Sequence, residues 1–362
     1  MDVLFLTPYI LGDPRTPGSS TDVRVHPLAQ ELEKRGIFFK FFDPMPTYTF
    51  NPFNKHVFPL GLTDSLRLLF NYAKFDVLFI SRCSSFPMYM IQKRWRKNSR
   101  KVIFDIDDSL FIPSKKWGFN IRSPFVGCLE KVMEISNALT VSSHFILFYA
   151  KKFNINSFLI HTPVDINIFY PATKKKTDRL TIGWIGNARG HFKNLEMLRA
   201  PLMKLGKQYD ICFKIVSYLG DNRVKMAFKQ VEEVVEVDYG LEKWVALREL
   251  PKYISDFDLL VSPLVKSFWF EGKSIVRTAV GMAMSLPVVA SPVGEQKYVI
   301  KHGFNGFLAK NGEEWYLYLK KLLDDDRLRE TIGKRGRETA QKQLSLNACG
   351  KKLFDVVKGL IP

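Results

Sequence analysis

Short apolar runs alternate with amphipathic stretches along most of the chain. Residues 2–7 (DVLFLT) form the first run, and a turn-rich segment closes on Gly18, Ser19 and Ser20. From about 22 to 35, Val25, Leu28, Ala29 and Leu32 fall on one stripe at helical spacing, and Gly36 ends the pattern. Further apolar runs predict strands at 37–42, 76–80, 101–106, 138–142 and 157–160, with helical segments between most of them. Strands alternating with helices predict a parallel, doubly wound sheet.

At 164–178 (VDINIFYPATKKKTD) the periodicity lapses into a proline-containing, lysine-rich stretch that reads as a linker. The alternation then restarts: strands at 180–185, 211–216, 233–237, 258–262 and 287–290, helices near 192–206, 242–255 and 273–284, and two or three closing helices over 313–360. The expected fold is therefore α/β, with two doubly wound Rossmann-like domains facing a cleft. Their expected limits are 1–165 and 175–340, and helix 345–362 is expected to pack back on the first domain. A length of 362 residues supports two cores.

Composition narrows the function classes. The hydrophobic fraction of 46% and the charged fraction of 25% are those of a globular protein, without a low-complexity tract. Acidic Asp2 stands where an export signal is positive, and the first apolar run stops at Gly12, Asp13 and Pro14, so a strand is expected there. No apolar stretch approaches the ~18 residues of a membrane span. Cys83, Cys128, Cys212 and Cys349 lack metal-ligand spacing and read as reduced thiols, which points to a cytoplasmic protein, peripheral on the inner face of a membrane if attached at all. The net charge of +18 is spread over both halves and favours phosphate-rich partners: nucleotide sugars, anionic head groups or nucleic acid. No nucleic-acid recognition motif is present, and nucleic acid is not expected as a partner.

Residues 258–309, DLLVSPLVKSFWFEGKSIVRTAVGMAMSLPVVASPVGEQKYVIKHGFNGFLA, carry a more specific pattern. Asp258, Pro263, the Lys273-Ser274 pair, Leu286-Pro287-Val288-Val289-Ala290-Ser291, Val293-Gly294 and Gly303 to Phe307 resemble, in order and spacing, the retaining glycosyltransferases of family 4, which use the GT-B fold. Gly183-Trp184-Ile185-Gly186, Trp244 and Glu249, the Ser19, Ser20 and Arg24 region, and FDIDDSLF at 104–111 extend the resemblance over most of the chain.

The resemblance implies transfer of a sugar from a nucleoside diphosphate sugar to a glycan or lipid-linked acceptor, with no cofactor and no metal. Loops 186–192 and 291–295 are expected to offer backbone N–H groups near helix starts to a diphosphate, with Gly186, Ser274, Gly294 and Glu295 at the site. Lys193, Lys273 and Arg189 are candidate clamps for the leaving phosphate. Two departures stand out. The family arginine falls on Asn187, and Arg189 is its candidate substitute. Of the family's two glutamates, the second falls on Val280 and the first on Gly272, beside Glu271, which becomes the candidate for the sugar; Glu295 is a candidate for the ribose. These departures also leave open a noncatalytic nucleotide- or glycan-binding relative.

Asp105, Asp107 and Asp108 end an apolar strand, and three readings stay open: a metal site, an Asp-x-Asp-x-Ser phosphatase-like nucleophile at Asp105, or a loop anchor with Asp107 or Asp108 facing an acceptor. Glu271, Asp107 and Asp108 are the catalytic candidates. Segment 89–101, with Arg94, Trp95 and Arg96, and segment 55–70 combine cations with an apolar stripe and are candidates for an anionic membrane surface or for a plain solvated face. His26 and His144 read as structural.

Overall fold

The computed structural model describes residues 1–7, 19–42, 74–112, 114–116, 119–121, 127–171, 179–243, 245 and 247–361. Gly18, the 55–70 segment, Trp244 and the 172–178 part of the linker lie outside the described residues. The chain divides into two units. One comprises Met1–Pro163, Glu271–Ser274 and Leu346–Pro362; the other comprises Val164–Phe270 and Ile275–Ser345.

In the first unit, strands β1 (Asp2–Leu6), β2 (Phe38–Phe41), β3 (Val77–Ser81), β4 (Lys101–Ile106), β7 (Ala138–Val141) and β8 (Ser157–Leu159) form a parallel sheet of order β2-β1-β3-β4-β7-β8. A small antiparallel hairpin, β5 (Ser114–Lys116) with β6 (Phe119–Ile121), stands apart from it. Alternation along the strands separates two cores. Leu4, Leu78, Ile80, Val102 and Phe104 face α2 (Phe86–Lys97), α3 (Leu129–Ile135) and α4 (His144–Ala150). Val3, Phe5, Val77, Phe79 and Ile103 face α1 (His26–Glu33) and the last helix of the chain, Leu346–Leu360. The stripe expected at 22–35 is a helix, but it opens with a wider π-type turn over Thr21–Val25.

In the second unit, β9 (Leu180–Ile185), β10 (Ile211–Val216), β11 (Glu236–Asp238), β12 (Leu259–Ser262), β13 (Val288–Ala290) and β14 (Phe307–Leu308) form a parallel sheet of order β11-β10-β9-β12-β13-β14. One face packs on α5 (Phe192–Glu196), α6 (Arg199–Gly206), α7 (Asn222–Phe228) and the long helices Gly312–Asp324 and Asp326–Thr339. The other packs on α8 (Pro251–Ile254) and α10 (Val276–Ala283), with α9 (Phe268–Glu271) between these helices in sequence. The helix expected over 192–206 is two helices, and 242–255 is mostly turns before α8, which starts at Pro251 where a missing amide N–H costs nothing. The strand expected at 233–237 starts late, at Glu236. Among the described residues no helix is long and apolar enough to cross a membrane.

Candidate functional site

The strand order of the second unit reverses between β9 and β12, and in open parallel sheets ligands bind at the carboxyl ends of the strands flanking such a point. There the chain joins three loops. Asn194, buried on α5, donates from Nδ2 to His191 Nδ1 at 2.7 Å and accepts the Val265 N–H at 2.8 Å, tying the loop after β9 to the loop after β12. Ser291 Oγ, after β13, accepts the Leu264 N–H at 3.0 Å. Gln296 donates to the Ser291 carbonyl at 3.0 Å and accepts from Thr278 of α10 at 3.0 Å. These buried amides and hydroxyls set the loops before any ligand arrives.

Gly186 ends β9 with φ +137, a conformation that side chains rarely adopt. Its N–H donates to the Val216 carbonyl at 3.3 Å, and the Gly190 N–H donates to Asn187 Oδ1 at 3.1 Å. Part of the expected N–H cradle at 186–192 is therefore already engaged within the protein, and the helix behind it, α5, has only five residues. Arg189 and Lys193 are exposed. Gly294 has φ +63, and Glu295 and Val280 are both buried. Val280 packs in the core under the sheet in the cluster of Ala279, Met282 and Leu260, an apolar place where the family's second carboxylate would stand.

One residue at this switch point was missed in the sequence. Arg277, on α10, donates from Nε to the Ile185 carbonyl at 2.5 Å, and its guanidinium lies 4.6 Å from the centre of the Trp184 ring. Burial pushes it down to about 9. Within SIVRTAVGMA it reads as the polar edge of an amphipathic helix; only the packing of α10 against the end of β9 reveals it.

In the first unit the carboxyl ends of β3 and β4 carry a charged cluster. Alternation puts Asp105 on the face of Ile103, beneath the π-type turn, where Arg24 clamps it with Nη2–Oδ1 at 2.7 Å and Nε–Oδ2 at 3.0 Å. Thr140 Oγ1 donates to the same carboxylate at 2.7 Å, and Arg24 Nη1 reaches the Ile160 carbonyl at 2.7 Å. Both partners are fully buried. Burial works against the Arg24 charge, but Asp105 outweighs it and raises the group above its ordinary value. Arg24 is thus buried with its charge matched by Asp105, and that carboxylate is taken up by Arg24 and Thr140. Ser20 is buried with its Oγ unpartnered among the described residues, and Ser19 Oγ donates to Asp22 at 3.0 Å.

Arg82, at φ +60 after β3, bonds Asp107 through Nε and Asp108 through Nη2 at 2.5 Å. Lys273, which belongs to the first unit, donates to Asp108 Oδ1 at 3.2 Å. Burial, opposed by Arg82 and helped by Asp108, raises Asp107 above the usual carboxylate range. Burial also pushes on Asp108, but Lys273 and Arg82 outweigh it and hold that carboxyl low. The adjacent aspartates are therefore driven apart, the arrangement that lets one carboxyl hold a proton while its neighbour stays ionised. Lys273, expected beside a diphosphate, has its charge engaged here. Glu271 is half-buried at the end of α9, and Ser274 is half-buried. A Cβ on Gly272 would lie 1.7 Å from Ser109 Oγ, so a side chain there needs that hydroxyl to turn away.

Of the basic aromatic segment, Arg94 and Arg96 are exposed on α2, whereas Trp95 is 3% exposed and belongs to the core. The exposed apolar groups of this helix are Phe86 and Met90 instead.

Residues 179–325 match the family described as Glycosyl transferases group 1. An uncharacterized glycosyltransferase of Methanocaldococcus jannaschii is 29% identical over 138 residues, 38% of this chain; the match spans only 37% of that relative's length. Among solved structures, sucrose-phosphate synthase from Thermosynechococcus elongatus is similar at TM-score 0.73 and 16% identity, over 99% of each chain. Anabaena HepE in complex with UDP and glucose is similar at TM-score 0.66 and 13% identity, over 99% of this chain and 100% of that one. Residues 179–325 are thus similar to a group 1 glycosyltransferase domain, and the two parallel six-stranded sheets give the chain the GT-B fold of these structures.

Proposed function

We propose that the chain transfers a sugar from a nucleoside diphosphate sugar to a hydroxyl of a lipid-linked or polymeric glycan, with retention at the anomeric carbon and without a divalent metal. The observation that carries this reading is the set of three interlocked loops at the β9/β12 switch point, inside the segment that matches the family. The similar fold of HepE, bound to UDP and glucose, supports the donor class. In the reaction the bond from the anomeric carbon to the phosphate oxygen breaks as the bond to the acceptor oxygen forms, and the acceptor proton passes to the departing phosphate. Cations near the switch point stabilise the charge that builds on the leaving group; exposed Arg189 and Lys193 stand at its rim. Glu271 is assigned to the donor sugar and the Asp107–Asp108 pair to the acceptor.

Attachment to the inner face of an anionic membrane belongs to the same reading. Exposed Phe86 and Met90 precede the cations Lys93, Arg94, Arg96 and Lys97 on α2, and each cation near such a surface contributes about 1 kcal/mol.

A panel of nucleoside diphosphate sugars, read by thermal stabilisation and by release of nucleoside diphosphate, tests the donor. Stabilisation by at least one donor, with release that does not need manganese, is expected; no response to any donor at millimolar concentration rejects the reading. A second reading, a noncatalytic binding relative, is favoured by buried Val280 and crowded Gly272. It is the outcome if a nucleotide sugar binds and is never turned over.

A further inference from the structure

We propose that Arg277 supplies the guanidinium that holds the diphosphate in the second unit, serving from α10 the role that Asn187 cannot serve from the loop. The inference rests on the donor reading above and names the residue on which the leaving group depends.

Three observations converge. The first is fixation. The Nε–H bond to Ile185 and the stacking on Trp184 leave the two terminal nitrogens as a fork at the carboxyl end of β9, beside the switch point. A planar fork fits two oxygens of a phosphate group. The second is access. A Cβ on Gly186 would come within 2.7 Å of Arg277 Nη2, so the glycine keeps that side of the guanidinium clear.

The third is charge. Neither terminal nitrogen of Arg277 has a hydrogen-bond partner among the described residues, and no carboxylate pairs with it. The contrast within the same unit is Arg337, also depressed by burial, whose Nη1 is taken up by the Phe169 and Ala283 carbonyls. A desolvated cation costs stability unless an anion meets it. The diphosphate is that anion, and its charge rises as the sugar leaves, so the contact strengthens along the reaction.

Calorimetry with UDP, GDP and ADP, and with inorganic pyrophosphate, separates the possibilities. Wild type is expected to bind pyrophosphate and at least one nucleoside diphosphate. Arg277→Gln should weaken both by about tenfold to a hundredfold, the range for hydrogen bonds to charged groups. Arg277→Lys, which keeps charge but loses the fork, should fall between. Without ligand, Arg277→Gln should melt at or above the wild-type temperature, because an unpaired cation has been removed from a desolvated place; a merely structural arginine would lower it. If wild type binds no diphosphate, the donor reading fails and this inference with it. If wild type binds and Arg277→Gln binds equally well, only the role of Arg277 is overturned. Should Arg277→Gln not fold, undiminished binding by Arg277→Lys overturns it.

Discussion

Arg24 in the first unit and Arg277 in the second both stand near the carboxyl ends of a parallel sheet, yet their charges are handled in opposite ways. Arg24 is fully buried and meets Asp105, which Thr140 holds in turn. Arg277 stacks on an indole, touches one carbonyl and meets no carboxylate among the described residues. The same side chain is thus a rivet in one unit and an open valence in the other. A compensated buried charge fixes a loop; an uncompensated one keeps a place for a ligand, at a cost to the empty protein.

The largest test of this contrast is Arg24→Met. It leaves Asp105 buried without its cation and should lower stability by about 3–5 kcal/mol, read as a lower denaturant midpoint. A loss smaller than 1 kcal/mol would erase the distinction between the two arginines.

The aspartates beside Arg82 sharpen it next. Asp108→Asn removes the partner of two cations and should cost about 1–3 kcal/mol at pH 7, whereas Asp107→Asn should stay within about 1 kcal/mol. Their pH signatures have opposite signs. Asp108 is held below its ordinary value, so its stabilisation is present above about pH 4 and fades as pH falls through the folded value. Asp107 is raised, so the folded state takes up a proton between the ordinary and the raised value, and stability falls as pH rises through that window. Melting series from pH 3 to 7 should therefore show the wild-type advantage over Asp108→Asn shrinking with acid. The gap to Asp107→Asn should move in favour of wild type. Parallel curves would refute the assignment.

The smallest effect belongs to the exposed rim. Replacing Arg189 and Lys193 together by Gln should weaken nucleoside diphosphate binding less than about fivefold, and the difference should vanish in high salt. A larger, salt-resistant loss would move the diphosphate away from Arg277.

What the sequence revealed and what it hid follow from the same physics. Period-two and helical spacing are local, so the strands of the two parallel sheets from Asp2–Leu6 to Val288–Ala290 and the stripe of α1 were legible, whereas the short hairpin β5–β6 and the two-residue β14 were not. Burial of one polar residue depends on what packs against it from far along the chain. Trp95, in a segment with six cations, looked like a surface aromatic and is core; Arg277, inside an apolar helix, gave no signal and is half-buried against the Trp184 ring. Arg82 was invisible because its φ of +60, in a turn after β3, follows no propensity rule. The glycine at 272 reads as a lost carboxylate, and only the structure shows how closely it approaches Ser109.

The last helix carries a consequence for how the chain is made. Leu346–Leu360 supplies Cys349, Leu353 and Val357 to the core under β1 and β3, and Gly350 packs against Glu31 of α1. The first unit begins before the second in the chain yet cannot finish its core until the segment after the second has been made, because one wall of that core is Leu346–Leu360. The second unit draws nearly all of its core from one continuous stretch, 164–345, and can close while that helix is still in the exit tunnel. Closure of the first core therefore waits on that helix, which shares one cluster with Val3, Phe5 and Leu28.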